Sequence, residues 1–170
     1  MNDALYKYPA GGYVMIHVGI FGSAGVGKTL WLSSMLDIPR TETIGIDVQS
    51  HRFDGHNFLF HDTSGRIEYD HVLEHTLDDV EYAIFVYDVS SRRSFADALL
   101  WMNRFLGRDR KVCALLGMPS AQRIISGTDV SLAARPWVRQ GVRIWFDEVE
   151  PNSFHSILRF FLKTNTNHEK

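Results

Sequence analysis

Along this chain, short runs rich in β-branched and aromatic residues alternate with stretches whose apolar positions recur every three or four residues. Strand patterns fall near 13–21, 45–52, 56–62, 82–88, 111–117 and 142–147, and helical patterns near 27–36, 68–78, 92–106, 128–139 and 152–163. The alternation predicts an α/β domain in three layers, α/β/α, around a six-stranded, mostly parallel sheet. Between the second and third runs, Asp54-Gly55 supplies the residues of a tight hairpin turn, which makes one edge strand antiparallel. With 170 residues, 45% of them apolar, the chain suffices for one well-buried core and falls short of two ordinary domains. The expected domain covers 13–163, flanked by flexible tails at 1–12 and 164–170.

In a sheet of this kind ligands bind beyond the carboxyl ends of the strands. Behind the first apolar run stands Gly22-Ser23-Ala24-Gly25-Val26-Gly27-Lys28-Thr29, a complete G-x-x-x-x-G-K-[ST] phosphate loop. The chemistry depends on that order. Glycines let backbone N–H groups close around phosphate oxygens, the lysine reaches the terminal phosphates, and the hydroxyl holds Mg²⁺. A strand pattern before the loop and the helical pattern Leu30 to Leu36 after it give the motif its required context. Asp62, Asp88 and Gly117 also fall at strand ends on this reading.

Two further segments follow in order, Thr43-Ile44-Gly45-Ile46-Asp47 and Phe60-His61-Asp62-Thr63-Ser64-Gly65-Arg66. With the phosphate loop they resemble the Ras superfamily of small GTPases, most closely its Rab branch, whose switch segments read like T-I-G-V-D and W-D-T-A-G-Q. The resemblance continues through Tyr82 to Phe95 and covers about residues 13–163, strongly to residue 106. It implies a GTP/GDP switch with Mg²⁺ as cofactor. Lys28 would contact the β- and γ-phosphates, Thr29 and Thr43 would ligate the metal, Asp62 would hold it through water, and the Gly65 amide would sense the γ-phosphate. Loops ordered by γ-phosphate and Mg²⁺ and released on hydrolysis then present themselves to a protein partner.

The chain departs from the family where hydrolysis and base recognition are concerned. Arg66 occupies the position of the catalytic glutamine. A guanidinium only donates hydrogen bonds, so it cannot accept one from an attacking water, and intrinsic hydrolysis is expected to be slow. A charge reaching the γ-phosphate is the alternative role; a solvated side chain is the expectation. After the fifth strand, Leu116-Gly117-Met118-Pro119-Ser120-Ala121 stands where family members carry N-K-x-D. Losing two charge-assisted bonds of about 1.5–3 kcal/mol each removes roughly 3–6 kcal/mol, or about 10²–10⁴ in guanine-selective affinity. The late S-A-K loop is replaced by Asp147-Glu148-Val149-Glu150, where Glu148 could face guanine but is expected to be solvated. The second half also has a fainter similarity to centromere protein M, a small-GTPase fold that serves as a scaffold without nucleotide chemistry. A pseudo-GTPase subunit is therefore the alternative reading.

Charge and composition narrow the partners. A net charge of −2 with acids and bases interspersed offers no basic stripe for nucleic acid and no polybasic tail for a membrane. No apolar run approaches the roughly 20 residues of a membrane helix, and no carboxy-terminal cysteine is present for prenylation. A cytoplasmic or nuclear protein without its own membrane anchor is expected. The single cysteine, Cys113, lies in an apolar run and is expected in the core. Val48, His61 and Thr76 replace the aromatic trio that Rab effectors commonly read, so such effectors are not expected to bind. His71-Val72-Leu73-Glu74-His75 matches a metalloprotease pattern, but without a third ligand its histidines read as solvated. Trp31, Trp101, Trp137 and Trp145 read as core or rim packing.

Overall fold

The computed structural model describes residues 14–40 and 42–165. Six strands, β1 (Met15–Phe21), β2 (Ile46–Phe53), β3 (His56–Thr63), β4 (Tyr82–Asp88), β5 (Val112–Met118) and β6 (Arg143–Glu148), form one sheet in the order β2-β3-β1-β4-β5-β6. Every neighbouring pair is parallel except β2 with β3. Those two are joined by Asp54 and Gly55, at φ 51° and 81°, the left-handed pair a two-residue hairpin turn demands. The helices are α1 (Lys28–Leu36), α2 (Asp70–Asp79) preceded by a 3₁₀ turn at Ile67–Tyr69, α3 (Arg92–Leu106), α4 (Gly127–Arg139) and α5 (Ser153–Asn165). This is the predicted α/β/α architecture.

Alternation along the strands splits the core into two layers. Ile16, Val18, Ile20, Phe58, Phe60, Ile84 and Val86 pack with Trp31 and Leu32 of α1 and with Phe154, Ile157, Leu158 and Phe161 of α5. Phe21, Ala83, Phe85, Tyr87, Cys113 and Leu115 face Leu73 and Leu77 of α2, Trp101, Met102 and Phe105 of α3, and Val130 of α4. Strands buried on both faces read as near-continuous apolar runs, as β4 and β5 do. Cys113 is fully buried, and burial pushes its thiol up to about 12, the state of an inert core residue. Trp31 and Trp101 are buried, while Trp137 and Trp145 pack at the margins of the two layers.

At its end the chain stays helical past residue 163. Thr164 is buried, with its hydroxyl donating to the Phe161 carbonyl at 2.7 Å, and α5 closes at Asn165. The tails expected at 1–12 and beyond Asn165 lie outside the described residues.

Candidate nucleotide site

Helix ends leave unpaired backbone N–H groups that must find acceptors. On α3 the Ser91 side chain accepts from the Ser94 amide, and on α4 Ser126 and Asp129 form a reciprocal capping box. Bonds from Ser126 hold the Asp129 carboxyl below its ordinary range. Helix α1 differs, because its cap is Gly27, left-handed at φ 101° and carrying no side-chain acceptor. The loop from β1 thus delivers an α1 amino end whose amides and dipole suit an anion.

Lys28, the first residue of α1, is 4% exposed, and its Nζ donates to the carbonyls of Gly22 at 2.8 Å and Ser23 at 2.9 Å. Burial lowers its pKa to about 8, against an opposing pull from Asp62. Loss of solvation outweighs that single carboxylate, so the site favours further negative charge beside the ammonium. One residue on, the Thr29 hydroxyl donates to Asp62 Oδ2 at 2.5 Å and lies 2.9 Å from the Thr43 hydroxyl, which itself donates to Asp62 Oδ2 at 3.1 Å. Residues from α1, from the segment before β2 and from the end of β3 are thereby gathered at one point. Burial raises the Asp62 carboxyl above its ordinary range, even though the Thr29 bond pulls the other way, and Asp62 Oδ1 is buried without a hydrogen-bond partner. An orphaned carboxylate oxygen beside two hydroxyls is a hard, all-oxygen donor set, the chemistry that suits Mg²⁺.

Gly65 closes over the loop. Its carbonyl accepts from the Ala24 amide at 3.1 Å. A Cβ on Gly65 would collide with the Gly22 carbonyl and stand 2.6 Å from Lys28 Nζ, and φ is +69°. Only glycine permits this approach. The neighbouring Arg66 is exposed, as the sequence suggested, and it also has a partner. Its guanidinium pairs with Glu42, tying the segment after β3 to the segment before β2. A cleft of about 680 Å³ runs beneath that pair, walled by Gly25, Lys28, Thr29, Arg40, Thr43 and Arg66 among others. A second, of about 690 Å³, lies on the α3 side of Gly65 and Arg66, where Ser23 donates to Asp97 at 2.7 Å. Val26 lines this second cleft and also packs against the α1–α5 layer.

The loops past β5 and β6 stand outside the two clefts. Met118 ends β5 and packs on Gly27, where an added Cβ would come within 3.0 Å of its Cε. Ala121 is exposed, and the Ile124 and Ile125 amides, bonded to the Val89 carbonyl at 2.9 and 2.8 Å, pin the following loop to the end of β4. Glu148, expected to be solvated, also pairs with Arg123 through both carboxylate oxygens, with Arg123 Nη2 at 2.5 Å from Oε2. Burial, with Glu148 nearby, pushes the Tyr87 phenol up to about 12.

Several contacts carried no sequence signal. Arg40 and Glu42 flank Thr43 closely enough to have been suspected; Arg123 and the Ser23–Asp97 bond join positions far apart in the chain and were not. His61 stacks on His17, with Nδ1 of His17 3.1 Å from Nε2 of His61, and burial first, then His17, lowers its pKa to about 4. Thr76 is buried and bonded to the Val72 carbonyl, so two of the three positions replacing the aromatic trio are spoken for internally. His71 and His75 are exposed, and Glu74 between them is engaged by Arg104 and Arg108. Among the described residues no cluster of three or more His, Cys, Asp or Glu side chains could hold a metal.

A phosphate loop between β1 and an uncapped α1, with hydroxyls and an aspartate converging below it, defines a P-loop nucleotide-binding domain of the α/β class. A family model described as the Ras family matches residues 17–134, and the chain belongs to that family, as a divergent member of the small GTPases. It is also similar to Ras-related protein Rab-44 of Homo sapiens, 27% identical over 154 residues. That match takes in 85% of this chain but 15% of the relative, so the chain spans about a seventh of that protein's length. No helix of the described residues is long and apolar enough to cross a membrane.

Proposed function

We propose that this protein is an atypical Ras-like switch that binds GTP and GDP with Mg²⁺, hydrolyses GTP slowly if at all, and acts on a protein partner through the segments around Thr43 and Gly65. The observation that carries the reading is the convergence of Thr29, Thr43 and Asp62 beside Lys28. Three separate chain segments bring oxygen donors and a buried cation together, which supports binding of a phosphate chain and its metal. The chemistry Mg²⁺ would supply there is neutralisation of phosphate charge. Thr29 and Thr43 would supply the hydroxyl ligands, and Asp62 would accept from water on the metal. Lys28 would exchange its two carbonyl partners for phosphate oxygens, and the Ala24 amide would give up the Gly65 carbonyl for a phosphate oxygen. The peptide at 64–66 must then move, so nucleotide state and switch shape are linked. Ile44, 72% exposed beside the 6% exposed Thr43, gives the switch surface an apolar contact point.

Arg66 supports slow turnover. It presents donors only, and its pairing with Glu42 directs it across the cleft to the opposite segment. Calorimetry of GTP and GDP with and without Mg²⁺, followed by single-turnover hydrolysis, tests the proposal. Mg²⁺-dependent binding with turnover no faster than that of family members bearing glutamine is expected; no binding of either nucleotide overturns it.

One observation favours a second reading, a pseudo-GTPase scaffold subunit. The loop amide, the lysine, the hydroxyls and one of the two Asp62 carboxylate oxygens find partners within the protein. That reading predicts that Lys28→Ala retains a partner that the wild-type chain captures, whereas the switch reading predicts its loss.

A further inference from the structure

We propose that β6 is a self-pairing edge: two copies of this chain join by antiparallel pairing of their β6 strands, merging two six-stranded sheets into one. Among the described residues β6 has β5 as its one strand neighbour, and the sheet ends there. The Arg143 amide donates to the Lys111 carbonyl at 2.8 Å and the Val149 amide to the Gly117 carbonyl at 2.9 Å. In a parallel ladder of that register the odd-numbered residues of β6 aim their backbone groups at β5, while Ile144 and Phe146 aim theirs outward. Both sides of this open stretch are closed. The Val142 amide donates to the Trp137 carbonyl at 3.1 Å, the Glu148 amide donates to Asp147 Oδ1 at 2.8 Å, and the Glu148 carbonyl accepts from the Ser153 hydroxyl at 3.0 Å. Between them no proline or lysine blunts the edge, and Ile144, Trp145 and Phe146 are apolar, with Phe146 41% exposed. The other edge, β2, is polar along Gln49-Ser50-His51-Arg52.

The residues of β6 fit a second copy of β6. A two-fold axis perpendicular to the sheet keeps each face on its own side, so residues of equal parity lie opposite one another across the joint. Centring the axis on Trp145 sets Ile144 opposite Phe146 of the other copy. The two residues whose backbone groups point outward then form a hydrogen-bonded pair that exchanges both N–H···O bonds, and their apolar side chains meet on the face that α4 covers. The same register sets Arg143 opposite Asp147. Both are exposed; the Arg143 guanidinium has no partner among the described residues, and Asp147 has engaged only Oδ1. Moving the axis by one residue loses this match. Centred on Ile144, Arg143 meets Trp145; centred on Phe146, Ile144 falls opposite Glu148, whose amide and carbonyl are already taken. Opposite charges and apolar pairs therefore select one register. β6 lines neither cleft, and antiparallel pairing points the strand ends of the two copies in opposite directions, so both clefts stay open in the joined pair.

Sedimentation velocity of the purified wild-type chain, from about 1 to 500 μM, tests the proposal. A concentration-dependent passage from monomer to dimer is expected; a monomer throughout overturns it and leaves the proposed nucleotide binding standing. Arg143→Glu sets carboxylates against each other at both ends of the joint and is expected to weaken dimerisation by about tenfold or more. Adding Asp147→Arg to that variant restores opposite charges and brings the dimer back to within about threefold of wild type. A dimer indifferent to Arg143→Glu, or one that the double variant fails to restore, overturns the proposal. The combined variant Arg143→Cys with Asp147→Cys provides a second check. In the proposed register the two positions form a non-hydrogen-bonded pair with Cα atoms about 4.5 Å apart, within disulfide range. The native Cys113 is buried and does not compete. Air oxidation is expected to give a covalent dimer that a reductant returns to monomer, and its absence overturns the register.

Discussion

The loop after β1 and the loops after β5 and β6 belong to one sheet and are built by opposite means. After β1 a left-handed glycine leaves α1 uncapped, and three segments deliver a lysine, two hydroxyls and a carboxylate to one point. After β5 and β6 a methionine packs on Gly27, and an arginine and a glutamate close on each other. A buried carboxylate oxygen without a partner marks the first region, and a pair of opposite charges the second. The difference teaches that one scaffold carries a polar cluster with an unmet acceptor and a surface whose charges meet each other.

The sharpest way to break the comparison is Lys28→Ala. Removing charge-assisted contacts to phosphate, worth about 1.5–3 kcal/mol each, lowers triphosphate affinity by about 100-fold or more in calorimetry. Arg123→Ala, the matching cut in the loop after β5, leaves affinity within a fewfold. Equal losses in the two variants would mean that the two regions are not separable.

Gly65→Ala tests whether the phosphate loop depends on close backbone approach. A side chain at φ +69° facing the Gly22 carbonyl and Lys28 costs about 1–3 kcal/mol, seen as a lowered denaturation midpoint. The contrasting substitution Gly127→Ala, at the start of α4 with no heavy atom near a new Cβ, leaves the midpoint almost unchanged.

A third test uses pH. Below about 8 Lys28 is charged in both folded and unfolded chains, and folding bears the full burial penalty. Between about 8 and 10.5 the unfolded chain holds a proton that the folded chain has released, so this residue's contribution to stability rises with pH. Phosphate binding has the reverse trend, because the neutral amine attracts no anion. Affinity falls by up to about tenfold per unit once pH passes 8, and Lys28→Ala flattens the profile. A profile as steep in the variant would place the titration elsewhere, on the ligand for example.

The smallest effect belongs to Glu42→Ala. Both members of the Glu42–Arg66 pair are exposed, and such pairs contribute about 0.2–1 kcal/mol. Stability therefore barely changes, while stopped-flow nucleotide association speeds up a fewfold as the segment at Gly65 is untied from the segment before β2. The charge-swapped double variant, Glu42→Arg with Arg66→Glu, restores the slower rate. An association rate that ignores both variants would show that the pair does not couple the two segments.

Much of this molecule was legible in the chain. Six strands and five helices fall within a few residues of where the apolar pattern put them, because a strand buried on both faces must be apolar throughout and a half-buried helix must repeat every three or four residues. The hairpin turn was equally plain, since Asp54-Gly55 is suited to little else. Thr43 and Asp62 were identified through ordered motifs rather than through geometry, and they do meet at Thr29. The partners of Arg66 and Glu148 were not legible. Each is solvent-accessible, as expected, but each also finds an opposite charge 24 or 25 residues away.

By itself the sequence determined the layers, the strand order's one antiparallel edge, and the identity of every group in the phosphate loop, because local periodicity and short-range spacing are properties of the chain. Only the tertiary structure decided which of those groups are satisfied and by whom. Whether Lys28 is solvated or buried, whether Gly65 covers the loop, and whether Glu148 is open or held by Arg123 depend on segments remote in sequence brought within 3 Å or so, a range at which hydrogen bonds and burial act and which no spacing along the chain encodes.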